Sequence, residues 1–113
     1  MHEISLLENV REILQDHAKT QQFKQVKKIT LEIGLLSCVE PEALRFGFNA
    51  VMKDSLAENA ELIVTEQEGV GLCDQCKKQV PIASLYDPCV LCDNPFVTVT
   101  QGNEMKIKNL IVI

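Results

Sequence analysis

Cys73-Asp74-Gln75-Cys76 and, twelve residues on, Cys89-Val90-Leu91-Cys92 decide how this chain is read. Four of the five cysteines lie in these two pairs. A two-residue spacer lets both sulfurs of a tight turn point to one spot. Two such turns facing each other make a tetrahedron of thiolates at the distance zinc prefers. The surroundings suit knuckles: Gly69 and Gly71 lead in, Pro88 precedes the second pair and Pro95 follows it. The competing readings are a redox dithiol and a pair of disulfides. A redox pair needs a helix start after a strand, and neither pair has that context.

Working outward, residues 4–19 predict an amphipathic helix. Ile4, Leu7, Val10, Ile13, Leu14 and Ala18 recur at three and four. Ser5 with Glu8 resembles a capping box. Residues 26–36 predict a strand in which Ile29, Leu31, Ile33 and Leu35 share one face. A second helix begins at Pro41 and runs to about Ser55, burying Leu44, Phe48, Val51 and Met52. Residues 61–67 read as a strand, Val97 and Val99 as a strand leaving the cysteine stretch, and residues 105–113 as the last strand after a Gly102-Asn103 turn. That last strand turns apolar in both phases from Leu110 to Ile113, as if between neighbours or against a partner chain, so a monomer or weak homodimer is expected.

The expected fold is α+β: a small three-stranded sheet with two helices and an inserted four-cysteine zinc module. The body comprises residues 1–68 and 102–113, and the module residues 69–101. With no Trp and only 4% aromatics, the body's core must be aliphatic. Each fully buried Leu, Ile or Val contributes about 1.5–3 kcal/mol. The module has too little apolar surface to fold alone, so metal is expected to supply its folding energy.

Composition excludes several functions. No apolar run is long enough for a membrane span. Met1-His2-Glu3 has no basic or apolar signal region, so a reducing, cytoplasmic location is expected, with cysteines on metal rather than in disulfides. The formal charge of −5 falls to about −7 with a four-thiolate zinc site, which disfavours nucleic acid. No nucleophile motif, phosphate loop or deaminase motif is present, and four cysteines leave zinc no open position, so no enzyme is expected.

The histidines are His2 and His17. His17, in the last turn of the first helix, suits a cation near a helix C-terminus and lacks a ligand partner at helical spacing. His2 follows Met1, whose amine, with the His2 amide and imidazole, can chelate one ion. Planar nitrogen donors suit Ni(II) or Cu(II). Most terminal histidines are merely exposed, and that alternative stays open. Cys38, alone in a turn, reads as a small buried apolar residue.

Taken together, Met1-His2-Glu3, Leu31-Glu32-Ile33-Gly34, Leu36-Ser37-Cys38-Val39, both cysteine pairs and Gly102-Asn103-Glu104 resemble the HypA/HybF family of hydrogenase maturation proteins over the whole chain. The resemblance implies a nickel metallochaperone that binds Ni(II) through His2, the Met1 amine and the Glu3 backbone, and helps load the hydrogenase large subunit. It implies a structural zinc on Cys73, Cys76, Cys89 and Cys92. The implied partners are the GTPase HypB, the hydrogenase large-subunit precursor and, in some organisms, the urease maturation proteins. Some relatives carry His beside the zinc cysteines. Here Lys77 and Asp93 stand there, which removes a proton-responsive exchange of His for Cys. Glu3 and Glu40 are the acids expected near nickel, with a helix N-cap as the favoured role of Glu40. The competing reading is a zinc-ribbon adaptor that transports no metal.

Overall fold

The computed structural model describes residues 2–113, and Met1 lies outside the described residues. The elements are α1 (His2–Gln21), β1 (Val26–Gly34), α2 (Pro41–Met52), β2 (Glu61–Gln67), β3 (Val70–Cys73), β4 (Gln79–Pro81), β5 (Val97–Gln101) and β6 (Met105–Val112). They make two three-stranded sheets, in the orders β2-β1-β6 and β4-β3-β5. The chain divides into two compact units, one of residues 1–31, 39–65 and 107–113, the other of residues 32–38 and 66–106.

In the first unit α1 buries Leu7, Val10 and Leu14, the seam that its three-and-four spacing predicts. α2 buries Leu44, Phe48 and Met52. Gly47 lets the two helices approach: a Cβ there would stand 2.5 Å from the Ile4 Cδ1 atom. Val26, Ile29 and Leu31 of β1 complete an aliphatic core. The Val26 N–H donates to Leu56 O just before β2, whereas Gln25 and Ile113 exchange backbone hydrogen bonds. The first contact aligns the starts of β1 and β2. The second joins the start of β1 to the end of β6, so β6 runs antiparallel to β1. β1-α2-β2 is a crossover unit, which explains why a helix of twelve residues separates two strands of one sheet.

In the second unit β3 pairs antiparallel with both β4 and β5. Leu36, Val80 and Ile82 are buried with Cys73 and Cys89, and Val97 and Val99 pack against them. Gly34 and Gly102 cross closely: a Cβ on Gly34 would stand 2.1 Å from the Gly102 carbonyl, whose oxygen accepts the Leu36 N–H at 2.7 Å. Gly102 has a φ of +91°, so the turn expected at Gly102-Asn103 uses the freedom that glycine alone has.

Four expectations need correction. α1 starts at His2, so Ser5 lies inside the helix and forms no capping box with Glu8. β1 ends at Gly34, where Ser37 turns the chain by bonding Gly34 O through both its N–H and its hydroxyl; Leu35 is 53% exposed rather than inward. Cys38 is exposed and has a φ of +60°, so it is a turn residue and not a buried apolar one. β6 is an edge strand, not one between neighbours; Ile111 on it and Ile113 just beyond it are exposed.

Candidate metal centres

The four cysteines of the second unit converge. Their sulfurs all lie within 4.8 Å of one another, with 3.5 Å between Cys73 and Cys92 and 3.8 Å between Cys76 and Cys89. Sulfurs at the corners of a zinc tetrahedron with bonds of about 2.3 Å stand about 3.8 Å apart. The donor set therefore fits zinc.

Two equivalent turns build this cluster. In the first, the Lys77 N–H donates to Cys73 O at 3.0 Å and the Cys73 N–H to Lys78 O at 3.0 Å. In the second, the Asp93 N–H donates to Cys89 O and the Cys89 N–H to Asn94 O, each at 2.9 Å. Lys77 and Asp93, each directly after the second cysteine of its pair, have φ of +60° and +61°. The same left-handed step closes both knuckles. Lys77 and Asp93 thus serve by backbone shape, a role that sequence reading did not assign them.

Donors aim at the sulfurs. The Cys76 N–H lies 3.5 Å from Cys73 Sγ, the Leu91 N–H 3.4 Å from Cys89 Sγ, and the Asn94 side-chain amide 3.7 Å from Cys73 Sγ. The Cys76 N–H does most to lower the Cys73 thiol to about 6, favouring a thiolate there. At Cys92 the Asn94 backbone N–H acts in the same direction, but desolvation of the sulfur and the neighbouring sulfurs outweigh it and push the thiol up to about 12. Four thiols this close cannot all ionise without a cation among them. Asn94 is the residue of this centre that sequence reading missed; its place two residues after Cys92 was the available signal.

The other candidate set lies in the first unit. The His2 side chain is 61% exposed at the start of α1. Helix starts leave their first N–H groups without intrahelical partners, so backbone nitrogens there are free for other chemistry. Glu3 is 16% exposed, and its Oε2 accepts the Glu40 N–H at 3.3 Å and lies 3.9 Å from His2 Nδ1. Its own backbone N–H, then that of Glu40, holds the Glu3 carboxyl below its ordinary value. Glu3 and Glu40 are therefore together, but through the backbone of Glu40. Glu40 stands at the N-cap position of α2 as expected, yet its side chain makes no capping hydrogen bond. The Glu3 carboxylate supplies the negative charge at that helix end instead. A groove of about 740 Å³ lined by Glu3, Ile4, Glu42, Ala43, Arg45 and Phe46 opens beside Glu3. His17 is exposed and fifteen positions away along the same helix. The Met1 amine lies outside the described residues.

A family model described as "Hydrogenase/urease nickel incorporation, metallochaperone, hypA" matches residues 1–112. The chain belongs to the HypA family. Hydrogenase maturation factors HypA from Psychromonas ingrahamii and Azorhizobium caulinodans are similar to it. The first is 44% identical over 112 residues, 99% of this chain and 98% of the relative. The second is 43% identical over 113 residues, the whole length of both. The solution structure of the Ni metallochaperone HypA from Helicobacter pylori superposes with a TM-score of 0.78 at 25% identity, covering 98% of this chain and 97% of that one. HypA proteins are maturation factors of the metallochaperone class rather than enzymes. The two helices, the small sheet and the clustered cysteines of this chain match that fold. Among the described residues no helix is long and apolar enough to cross a membrane.

Proposed function

We propose that this HypA protein carries Ni(II) at its N-terminus and delivers it to the precursor of the [NiFe]-hydrogenase large subunit. The ligands are the His2 imidazole, the Met1 amine and backbone nitrogens of His2 and Glu3. The observation that carries this reading is the match to the nickel-incorporation family from residue 1, which includes Met1-His2-Glu3. Local chemistry supports it. His2 is exposed, and the neighbouring amides belong to a helix start where N–H groups lack helical partners. Glu3 spends an oxygen on Glu40, so its backbone nitrogen is the better donor.

In this reading Cys73, Cys76, Cys89 and Cys92 hold a structural zinc. Zinc would crosslink the two knuckles and neutralise the thiolates, and four sulfur ligands leave no position for cargo. The expected zinc-binding stretch, residues 69–101, then falls within the second compact unit of residues 32–38 and 66–106, and the nickel-binding start of the chain within the first. The protein works in the cytoplasm with the GTPase HypB and the large-subunit precursor, and with urease maturation proteins where urease is a client. The groove beside Glu3, with Phe46 91% exposed, offers a partner apolar surface next to the cargo.

A nickel titration of untagged wild type, His2→Ala and a Gly-Ser-extended form, read by absorbance and calorimetry, tests this. Specific binding is expected in wild type alone, with zinc content equal in all three. Binding weakens on acidification, because protons compete with the metal for the imidazole and the amine. Undiminished binding in the extended form rules out the amine. Undiminished binding in His2→Ala moves the site elsewhere. A zinc-ribbon adaptor would bind no nickel in any form.

A further inference from the structure

The four sulfurs of the cysteine cluster are unequal. Cys73 and Cys89 are buried, Cys76 is half-buried and Cys92 is exposed. The buried pair is also engaged by donors. Cys73 Sγ accepts the Cys76 N–H and the Asn94 side-chain amide, and Cys89 Sγ accepts the Leu91 N–H. Cys92 Sγ stands 3.5 Å from Cys73 Sγ in the other knuckle, closer than the 3.8 Å between Cys76 Sγ and Cys89 Sγ. The backbones beside Cys73 and Cys92 are themselves joined, since the Asp74 N–H donates to Phe96 O at 3.1 Å. The other exposed thiol, Cys38, stands outside the cluster.

We propose that Cys92 is a site of reversible oxidation by hydrogen peroxide, with Cys73 as the sulfur that resolves it. This rests on the structural zinc proposed above. A sulfur on zinc is a thiolate, the nucleophilic form. Oxidation follows thiolate character and access, and it stays reversible where a second sulfur stands beside the oxidised one. Cys92 has the access and Cys73 is the neighbour. In the first step a lone pair of Cys92 Sγ attacks one peroxide oxygen. The S–O bond forms, the O–O bond breaks and hydroxide leaves. The product is a sulfenic acid, which is no longer an anionic ligand. In the second step Cys73 Sγ attacks Cys92 Sγ. The S–S bond forms, the S–O bond breaks and a second hydroxide leaves. The two sulfurs have given two electrons to the peroxide, and both hydroxides take protons from solvent to become water. Cys76 and Cys89 then remain, too few ligands to retain zinc.

The choice of partner has a structural consequence. A bond between Cys73 and Cys92 ties together the same two turns that the metal would tie. Pairing inside either Cys-x-x-Cys would leave those turns apart. The oxidised module therefore keeps its two knuckles in register, and a thiol reductant returns four sulfurs ready for zinc.

The test uses full-length, zinc-loaded Cys38→Ser protein without nickel, so that no thiol outside the cluster competes. The probe is hydrogen peroxide. The readouts are zinc release to a chromogenic chelator, sulfenic acid trapped by dimedone, and disulfide mapping by mass spectrometry. Dimedone is expected on Cys92, and the first disulfide is expected to join Cys73 to Cys92, with about one zinc lost per peroxide consumed. Reductant with added zinc should restore the starting metal content. Cys92→His in the same background keeps a zinc donor but removes the attacked sulfur, and should release zinc about ten-fold more slowly. If that variant binds no zinc, the mapping on Cys38→Ser protein decides alone. Zinc-loaded protein that is oxidised first at Cys76, that forms its first disulfide within one Cys-x-x-Cys pair, or that loses zinc with no preferred cysteine overturns this proposal and spares the zinc site. Protein that takes up no zinc overturns both.

Discussion

The two units are stabilised by different means. The first buries Leu7, Val10, Leu14, Val26, Ile29, Leu31, Leu44, Phe48 and Met52, each at most 2% exposed. The second buries Ile33, and Leu36, Val80 and Ile82 around Cys73 and Cys89, while Leu72, Leu85, Tyr86, Val90, Leu91 and Phe96 remain exposed. Apolar packing suffices for the first. In the second, four sulfurs stand where a core would be, and a crosslinking cation held by them would supply what packing does not. The proposed cargo site lies in the self-sufficient unit, so nickel can come and go without unfolding the protein. The proposed structural metal lies where its loss is ruinous.

The contrast can be broken most severely at the cysteines. Cys73→Ala should abolish stoichiometric zinc and the slow amide exchange of residues 70–101, while α1 and α2 keep their helical circular dichroism; zinc analysis and exchange mass spectrometry check it. The converse variant is Leu44→Ala, at a fully buried position. It should cost about 2–5 kcal/mol in denaturant unfolding of the first unit and leave zinc bound. Gly47→Val should cost about 1–3 kcal/mol by driving Ile4 from α2, detected as a lowered melting temperature with an unchanged zinc content.

The smallest effect sharpens the comparison by pH. Asp87 Oδ2 accepts the Ala83 and Ser84 N–H groups, at 2.8 and 3.1 Å, and Oδ1 accepts the Ser84 hydroxyl at 2.6 Å. The Ser84 hydroxyl, then the Ala83 N–H, holds the Asp87 carboxyl below its ordinary 3.8. A depressed carboxyl stabilises the fold above its unfolded pKa, and the gain is lost as pH falls through the folded value. Asp87→Asn should therefore loosen the 83–87 turn at neutral pH and erase its response to acidification below 3.8, followed by amide exchange of Ser84.

Much of this was legible in the sequence because periodicity reports burial. The seams of α1 and α2 and the alternation of β1 follow from apolar spacing alone, and the Cys-x-x-Cys pairs from ligand geometry. Element ends were less legible. Ser5 and Glu8 carry a capping pattern that the helix overruns, and Leu35 continues an alternation that the Ser37 turn has already stopped. β3 and β4 span four and three residues, too short for a period to show. The Glu3 contact with Glu40 joins residues 37 apart and leaves no local trace. The equal left-handed steps at Lys77 and Asp93 escaped notice because neither is glycine.

The central claim is that one unit stands on packing and the other on metal. Hydrogen-exchange mass spectrometry of zinc-loaded and chelator-stripped protein tests it most directly, with nickel binding measured on both samples. The account predicts that stripping collapses protection across residues 70–101, leaves residues 7–14, 26–31 and 44–52 protected, and preserves one nickel bound through His2. Unchanged protection at residues 70–101 after zinc removal, or equal loss of protection in both units, would contradict it.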